Sequence, residues 1–547
     1  MIGPALLRAD PVPHGIATPH PLATAAGVAI LADGGNAFDA AVAVSAVLAV
    51  VEPYGSGLGG GGFWLLHDAS EGRDILIDGR ERAPAAATAQ MFIGPDGEVD
   101  RDRVSAGPLA AAIPGTPAAL DHIAHRYGEL TMARALEPAI RLARDGFPVD
   151  ERYRSLAGFR LAALRANPEA AAILLRDGEV PEVGTRIRQP ALAATLERLA
   201  RSGHDGFYDG EVARRLVAGV RAAGGLWTRE DLRAYEIVGR EPITASYRGM
   251  RLVSAPPPSS GGIALTQILQ ILELYQLSDV DEAERVHLIV EAMRRAYHDR
   301  ARFLGDADFV AIPIDRLLAA DYAAGLAASI RRDRATPSEL FPGPDRPSGG
   351  QDTTHFSIID RHGHRVAATL SLNYPFGAGF MPEGTGVLLN NHMDDFTVAP
   401  GQPNAYGLIQ SSANRIEPGK RMLSSMSPTF VEQDGRIAVI GTPGGSRIIS
   451  TVLLAALAFE AGGSATDLVA APRFHHQFLP DRLEYEPDGL SEALREALVA
   501  RGHQLRVADR PWGNSQAVVI EPDGVFTAAA DPRGIGTISV AGQLERP

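Results

Sequence analysis

The chain of 547 residues is 45% hydrophobic and 22% charged, which is typical of a globular protein and excludes a mostly disordered one. Its 52 basic and 66 acidic residues give a formal net charge of −14, which argues against a nucleic-acid-binding protein. The chain contains no cysteine, so disulfides, thiolate metal sites and cysteine nucleophiles are excluded. Because the only lysine is Lys420, the nucleophiles that remain are serine, threonine, a carboxylate or an activated water.

No segment of the sequence predicts a membrane span. The longest largely apolar stretch, residues 40–51, falls well short of the roughly 20 residues that a spanning helix needs. The N-terminus shows no basic region followed by an apolar one, so the chain as given carries no export signal. We therefore expect no membrane partner and a cytoplasmic location, or a periplasmic or secreted one if the N-terminus was trimmed.

Residues 14–330 are predicted to be mainly helical. Asn36 and Asp39 precede the apolar run 40–51 and predict a capped, buried helix there. Apolar residues at helical spacing predict a core helix over 284–304. The glycine-rich run 55–60 matches G-x-G-x-x-G, but it follows a predicted helix and precedes a predicted strand. That order favours a turn with a close backbone approach over a dinucleotide site.

The second part of the chain is predicted to be rich in strands. It follows an exposed linker over 334–352 that is rich in proline and glycine. Residues 429–441 and 517–529 predict hairpins that turn at Asp-Gly pairs, and residues 446–460 predict a helix between them. His475 and His476 are adjacent, so in a strand they would point to opposite faces and would not share a metal.

A further hairpin is predicted directly after the linker. With its turn centred on His362, Asp360 faces His364 and Thr353 faces Ser371. One face of this hairpin is then apolar and the other is mostly polar, and a slip of one residue would scramble both faces. The polar face consists of Thr353, His355, Ser357, Thr369, Ser371 and Asn373.

Thr353 begins a strand at a linker junction, with a hydroxyl directly opposite. A threonine hydroxyl needs a base beside it to become a nucleophile, and an N-terminal threonine supplies its own α-amine. That amine has a reference pKa of about 7.7–8.0, so it is partly unprotonated near neutral pH. This chemistry requires cleavage between Asp352 and Thr353. The alternative is that Thr353 is only a good strand former.

Sequence blocks in a fixed order run through nearly the whole chain. They include HPLATAAGVAILADGGNAFDAAVA (20–43), GLGGGGF (57–63), DGRERAP (78–84), PPPSSGG (256–262), EAMRRAYHDRARFLGD (291–306), DTTHFSIID (352–360), KRMLSSMSPT (420–429), GTPGGSRI (441–448) and APRFHHQFLPD (471–481). With these blocks the chain resembles the γ-glutamyltranspeptidase family of N-terminal-nucleophile hydrolases, which are made as self-cleaving precursors. The resemblance implies an α+β fold, the four-layer αββα sandwich.

The resemblance also implies a nucleophile and its helpers. Thr353 matches the nucleophile and first residue of a small catalytic subunit, 353–547, released from a large subunit, 1–352. Ser371 matches a hydroxyl residue that hydrogen-bonds the nucleophile. Gly444 and Gly445 match the glycines whose backbone amides form the oxyanion hole. The large subunit is expected to be mainly helical and to supply strands of the shared sandwich, so that the two subunits form one intertwined core.

Other matched positions are expected to hold the substrate. Arg80, Ser424 and Ser425 match donors to the α-carboxylate, and Asp395 with Asn373 matches the partners of the α-ammonium. His392 stands where family members often have Gln, and a charged imidazole there would repel the ammonium. Residues 400–420 match a lid loop, with Tyr406 at its gating position.

Together these matches imply a γ-glutamyl hydrolase and transferase. It would cleave glutathione and related amides through an acyl-Thr353 intermediate and pass the acyl group to water or to an amino-acid or peptide amine. Neither a metal nor an organic cofactor is implied, and no nucleic-acid partner. Two alternatives stay open: a cephalosporin or glutaryl acylase, or another amidohydrolase, of the same fold, and an uncleaved, non-catalytic binding protein.

Overall fold

A computed structural model describes residues 12–341, 353–399, 408 and 411–544. Asp352 and Tyr406 lie outside the described residues, as does most of the predicted linker. The described strands are β1 (His14–Thr18), β2 (Gly61–Asp68), β3 (Arg73–Gly79), β4 (Phe147–Pro148), β5 (Arg186–Ile187), β6 (Val238–Arg240), β7 (Ile243–Tyr247), β8 (Met250–Ser254), β9 (Thr354–Asp360), β10 (Arg365–Ser371), β11 (Thr429–Gln433), β12 (Arg436–Gly441), β13 (Phe474–His475), β14 (Leu483–Tyr485), β15 (Leu505–Val507), β16 (Gln516–Ile520), β17 (Phe526–Ala530) and β18 (Thr537–Ala541).

The described helices are α1 (Pro21–Ala32), α2 (Ala37–Val51), α3 (Arg101–Ser105), α4 (Thr116–Tyr127), α5 (Met132–Asp145), α6 (Glu151–Phe159), α7 (Leu161–Ala166), α8 (Pro168–Leu174), α9 (Pro190–Tyr208), α10 (Gly210–Ala222), α11 (Arg229–Arg233), α12 (Gly261–Glu273), α13 (Glu282–Phe303), α14 (Ile314–Leu317), α15 (Ala320–Ala328), α16 (Arg447–Glu460), α17 (Ala465–Ala470) and α18 (Glu492–Ala500). Helices α1 to α15 precede Thr353, and α16 to α18 follow it. Short 3-10 turns occur at Pro108–Ala110, Ser338–Leu340, His392–Asp395 and Ser412–Asn414. No helix in the described ranges combines the length and apolar character needed to cross a bilayer.

Two antiparallel sheets form the centre of the molecule. The larger has seven strands in the order β18-β1-β9-β10-β2-β3-β6, and the smaller has six in the order β17-β16-β12-β11-β8-β7. In both sheets, strands from before and after Thr353 are hydrogen-bonded to one another. Residues 14–330 are mainly helical, and they also supply strands to both sheets.

The sheets lie face to face between two layers of helices. One core joins the outer face of the seven-stranded sheet to helices that include α2, α4, α5 and α9. A second core fills the space between the sheets and continues to α12, α13 and α16 on the far side. This arrangement is the αββα sandwich and confirms the predicted fold class.

The hairpin β9–β10 has the predicted register. Ile359 pairs with Arg365 and Thr354 with Leu370, so the face of Phe356 and Ile358 meets the helices. The opposite face lies against the second sheet, where a Cβ on Gly441 would lie 2.2 Å from the His355 ring. His355 Nδ1 is 2.8 Å from Thr369 Oγ1, and burial lowers the pKa of His355 to about 3. The polar face is thus a neutral hydrogen-bonded layer between the sheets.

Helix boundaries differ from the prediction in one instructive way. Helix α2 begins at Ala37, because the Asn36 side chain accepts hydrogen bonds from the amides of Phe38 and Asp39. The Asp39 carboxylate accepts in return from the Asn36 amide, at 3.1 Å. Asn36 is therefore the cap, and Asp39 belongs to the first turn of the helix rather than preceding it.

The start of the predicted linker is anchored. Ser338 is 1% exposed and its amide donates to Asp481 Oδ2 at 2.7 Å. The Thr336 amide donates to Glu291 Oε1 at 3.1 Å. The expectation of an exposed linker is therefore wrong for these residues, because side chains far away in the sequence bind their backbone.

The glycine-rich run 55–60 joins α2 to β2, as its flanking patterns predict. A Cβ on Gly59 would lie 2.1 Å from the Leu388 carbonyl oxygen, and one on Gly60 would lie 2.2 Å from that of Ser371. The glycines therefore let this segment pass against the backbone at the end of β10. The hairpins β11–β12 and β16–β17 also form as predicted.

Candidate active site

A buried cavity lies at the open end of β9 and β10, between the two sheets. Its volume is about 30 Å³, so a substrate must displace some of the side chains that line it. Its lining comprises Arg300, Thr353, Ser371, Asn373, His392, Asp395, Leu408, Leu423, Ser424, Ser425, Met426, Gly445, Ser446 and Ile448. Most of the site residues predicted from the sequence are therefore brought together here, while Arg80 and Gly444 lie immediately behind this lining.

The Thr353 hydroxyl faces the hydroxyl of Ser371. Thr353 is the residue before β9 and is 5% exposed, and its Oγ1 donates to Ser371 Oγ at 3.3 Å. Ser371 ends β10, and its Oγ also accepts from the Asn373 amide at 2.8 Å. Two hydrogen bonds thus fix the Ser371 hydroxyl, which in turn orients Thr353.

Gly444 and Gly445 form a sharp turn between β12 and α16. Their φ angles are 137° and 57°, which only glycine adopts without strain. Neither amide donates a hydrogen bond within the described part of the chain. Both precede the helix whose N-cap is Ser446, so unpaired N–H groups gather at this corner of the cavity, as an oxyanion hole requires.

Two residues not predicted from the sequence hold this turn in place. The Tyr297 hydroxyl donates to the Ser446 carbonyl oxygen. Ser446 Oγ donates to Gln477 Oε1 at 2.7 Å. Tyr297 and Gln477 lie in sequence blocks that carry the family resemblance, but the blocks do not indicate that these residues contact the glycine turn.

Arg80 and Asp395 form an ion pair. Arg80 follows β3, is fully buried, and bonds Asp395 Oδ2 through Nη2. Its Nη1 lies 3.5 Å from Glu81 Oε2, and its Nε donates to the Met422 carbonyl oxygen at 3.4 Å. The two residues expected to meet the opposite charges of the substrate therefore neutralise each other here.

His392 lies between two carboxylates. Its Nδ1 is 2.8 Å from Glu81 Oε1, and its Nε2 is 4.0 Å from Asp395 Oδ2. An ionised carboxylate only accepts, so Nδ1 carries a hydrogen and Nε2 is the nitrogen nearer Asp395. Glu81 is fully buried, and the sequence analysis missed it although it adjoins Arg80.

The serine pair is held by the loop that precedes α12. The Ser424 amide donates to the Pro258 carbonyl oxygen at 2.8 Å, and the Ser260 amide donates to that of Ser424 at 2.9 Å. Ser424 Oγ accepts from the Met426 amide at 3.1 Å. The block PPPSSGG thus supports the loop that carries both serines.

Arg300 is the main lining residue that the sequence analysis missed. It lies near the end of α13, is 2% exposed, and donates from Nη2 to Ser425 Oγ at 3.0 Å. Burial lowers the pKa of Arg300 to about 10, against the opposing influence of Tyr297 and Asp395. It remains a cation at neutral pH. Helical periodicity marked α13 as a core helix and hid this residue.

Comparisons with known proteins agree with this geometry. The gamma-glutamyltranspeptidase family model matches residues 23–541. The chain is 41% identical over 530 residues to a glutathione hydrolase proenzyme of Escherichia coli K12, covering 96% of this chain and 91% of that protein. It is 43% identical over 537 residues to a glutathione hydrolase proenzyme of Pseudomonas sp. strain A14, covering 95% and 92%.

A solved structure supports the fold. The cephalosporin acylase of Bacillus halodurans matches with a TM-score of 0.85 and 26% identity, covering 98% of both chains. Both curated relatives are named proenzymes, which implies processing into subunits. The family model spans nearly all of the sequence, and two relatives are more than 40% identical to it over the aligned residues. The αββα sandwich agrees with both findings. The chain belongs to the γ-glutamyltranspeptidase family.

Proposed function

We propose that this protein is a self-cleaving γ-glutamyl hydrolase and transferase that acts on glutathione and related γ-glutamyl amides. The observation that carries the proposal is the cavity that places the Thr353 hydroxyl beside a buried pair of opposite charges, Arg80 and Asp395. A γ-glutamyl group carries an α-carboxylate and an α-ammonium, so it needs both charges in one site. The names of the two curated relatives support the same substrate.

Maturation creates the catalytic base. Thr353 Oγ attacks the carbonyl carbon of Asp352, the hydroxyl proton passes to the peptide nitrogen of Thr353, and that nitrogen leaves as an amine while an ester forms between Asp352 and Thr353. Water then hydrolyses this ester and gives a large subunit, 1–352, and a small subunit, 353–547. The freed α-amine of Thr353, with a reference pKa of about 7.7–8.0, can now take the hydroxyl proton.

Acyl transfer then follows in two steps. Thr353 Oγ attacks the γ-carbonyl carbon while its proton passes to the α-amine, and the Gly444 and Gly445 amides stabilise the oxyanion. The α-amine returns the proton to the leaving amine, which departs and leaves γ-glutamyl-Thr353. Water or an amino-acid amine attacks this ester and restores the Thr353 hydroxyl.

Recognition requires the Arg80–Asp395 pair to exchange partners. The α-carboxylate takes hydrogen bonds from Arg80, Ser424 and Ser425, and the α-ammonium donates to Asp395 with help from Asn373. His392 stays beside Asp395, held by Glu81. An exchange of this kind keeps each buried charge paired, which avoids the cost of an isolated one.

The acylase alternative rests on the close match to the cephalosporin acylase structure. A glutaryl group has the carboxylate of a γ-glutamyl group but no ammonium, so it would leave Asp395 without a ligand partner. We therefore expect wild type to cleave γ-glutamyl p-nitroanilide at least tenfold faster than glutaryl p-nitroanilide. Asp395→Asn should lose most of the first activity and little of the second.

Intact mass and N-terminal sequencing test the maturation step. Wild type should give two chains, the second beginning at Thr353, whereas Thr353→Ala should stay a single 57.9 kDa chain. A wild-type chain that stays whole after long incubation would favour the non-catalytic binding protein. A cleaved enzyme that prefers the glutaryl substrate would favour the acylase.

A further inference from the structure

The guanidinium of Arg300 has hydrogen bonds but no carboxylate partner in the described part of the chain. Its Nε donates to Ser260 Oγ at 2.9 Å and its Nη2 donates to Ser425 Oγ at 3.0 Å. Its Nη1 is buried and has no partner among the described residues. Those residues also place no acidic side chain within ion-pair distance of it. A buried cation with an unused donor is costly, and an acceptor from a ligand would remove that cost.

Counting Arg300 balances the buried charges of Arg80, Asp395 and Glu81 around the cavity. Arg80 contacts two carboxylates, those of Asp395 and Glu81. Leaving His392 aside, these three side chains carry one positive and two negative charges. Arg300 lines the same cavity and supplies the second positive charge. Without Arg300, the carboxylate of a zwitterionic ligand would lie beside side chains that carry one more negative charge than positive charges.

Arg300 also determines how Ser425 can act. The Ser425 hydroxyl oxygen accepts from Arg300, and its hydrogen has no acceptor among the described residues. That hydrogen is therefore available to a ligand in the cavity. A hydroxyl that accepts from a cation is a stronger donor, because hydrogen bonds polarise one another.

From these contacts we propose that Arg300 is a second guanidinium for the substrate carboxylate. It turns the Ser425 hydroxyl toward the carboxylate and offers Nη1 to one of its oxygens. This inference rests on the proposed function, since it names the residue that receives one end of the same acyl donor. Arg80 and Arg300 would then approach the carboxylate from two different elements, since Arg80 follows β3 and Arg300 lies in α13.

Substrates that lack one charged group separate this role from a structural one. γ-Glutamyl and glutaryl p-nitroanilide both carry the carboxylate, whereas 4-aminobutanoyl p-nitroanilide keeps only the ammonium. Arg300→Gln should lower kcat/KM about 10- to 100-fold on the first two substrates, mainly through KM. It should change the third less than threefold, measured at high enzyme concentration because turnover is slow.

Two further variants provide the comparison. Arg300→Lys keeps the charge but not the fork that reaches two serines, so its loss should be intermediate. Arg302→Gln makes the same charge change on an exposed residue of the same helix and should leave all three substrates unaffected. Equal losses on all three substrates in Arg300→Gln, or no loss on the two carboxylates, would overturn the proposal.

The test stays decisive if the Arg300 variants do not mature. Ser260→Ala frees Arg300 Nε with a smaller change. It should raise KM two- to tenfold for the two substrates that carry the carboxylate and leave the third unchanged. An equal effect on all three substrates, or no effect, would contradict the role proposed for Arg300. A wild type that prefers the glutaryl substrate would reject the proposed function and leave this test intact. If nothing is cleaved, calorimetric binding of glutamate against 4-aminobutanoate to the same variants gives the same contrast.

Discussion

We expect processing to depend on Ser371 before an α-amine exists. Its hydroxyl lies 3.3 Å from Thr353 Oγ1, so it orients the attacking oxygen by one neutral hydrogen bond. Loss of such a bond, worth about 0.5–1.5 kcal/mol, should make Ser371→Ala mature a few- to roughly tenfold more slowly. Ser371→Thr keeps the hydroxyl and serves as the control. Gel time courses of the uncleaved chain check this, and an Ala variant that matures at the wild-type rate would contradict it.

Glu52 is a buried acid that the proposed mechanism does not use. It is 2% exposed, accepts from Thr354 Oγ1 at 2.8 Å, and burial raises its pKa from 4.5 to about 7. The folded chain therefore holds this proton more tightly than the unfolded chain. Protonated Glu52 therefore stabilises the folded chain fully below pH 4.5. This contribution is lost as the pH rises from 4.5 to 7, which lowers the free energy of unfolding by roughly 3 kcal/mol.

Glu52→Gln should remove that pH dependence. In a Thr353→Ala background, which keeps one chain, urea unfolding at pH 5 and pH 8 gives the free energy of unfolding with and without Glu52. We expect the stability of the Gln variant relative to its parent to rise by up to about 3 kcal/mol between the two pH values. A difference that stays constant with pH would show that Glu52 keeps an ordinary pKa.

At the scale of elements, the hairpin β9–β10 could be predicted in full and the charged site only in part. Alternation of apolar and polar residues fixes the register of the hairpin, so the proximity of Thr353 and Ser371 follows from local sequence. The Arg80–Asp395 pair joins residues 315 positions apart, and only the family resemblance brought them into one site. Arg300 was missed because helical spacing marks a buried face without showing which part of that face meets a cavity.

The segment that enters β2 is a second element with a testable role. A Cβ on Gly60 would lie 2.2 Å from the Ser371 carbonyl oxygen, which is backbone and has little room to move. Gly60→Ala should therefore displace the end of β10, lower stability by about 1–3 kcal/mol and slow maturation. Gly158→Ala, in α6 with nothing within 4 Å, is the matched control and should be neutral or slightly stabilising. Equal thermal melting and processing of the two variants would contradict the role of Gly60.

At the scale of the whole molecule, both sheets mix strands from the two predicted subunits. The seven-stranded sheet contains β1, β2, β3 and β6 from before Thr353 and β9, β10 and β18 from after it. The six-stranded sheet joins β7 and β8 to four strands from the second part. Separating the subunits would expose sheet edges and both apolar cores at once. Cleavage should thus leave the fold in one piece.

Native size-exclusion chromatography tests this intertwined architecture. Cleaved wild type and uncleaved Thr353→Ala should elute at the same volume, although a denaturing gel shows two chains in the first and one in the second. Because strands from both subunits must be lost together, dissociation should coincide with unfolding: in a urea series the subunits should separate only where circular dichroism also falls. Thr353→Ala supplies the unfolding curve of the same fold as a single uncleaved chain. Subunits that separate at low urea, while the sheet signal persists, would mean that each part folds alone and that the shared sheets are not what joins them.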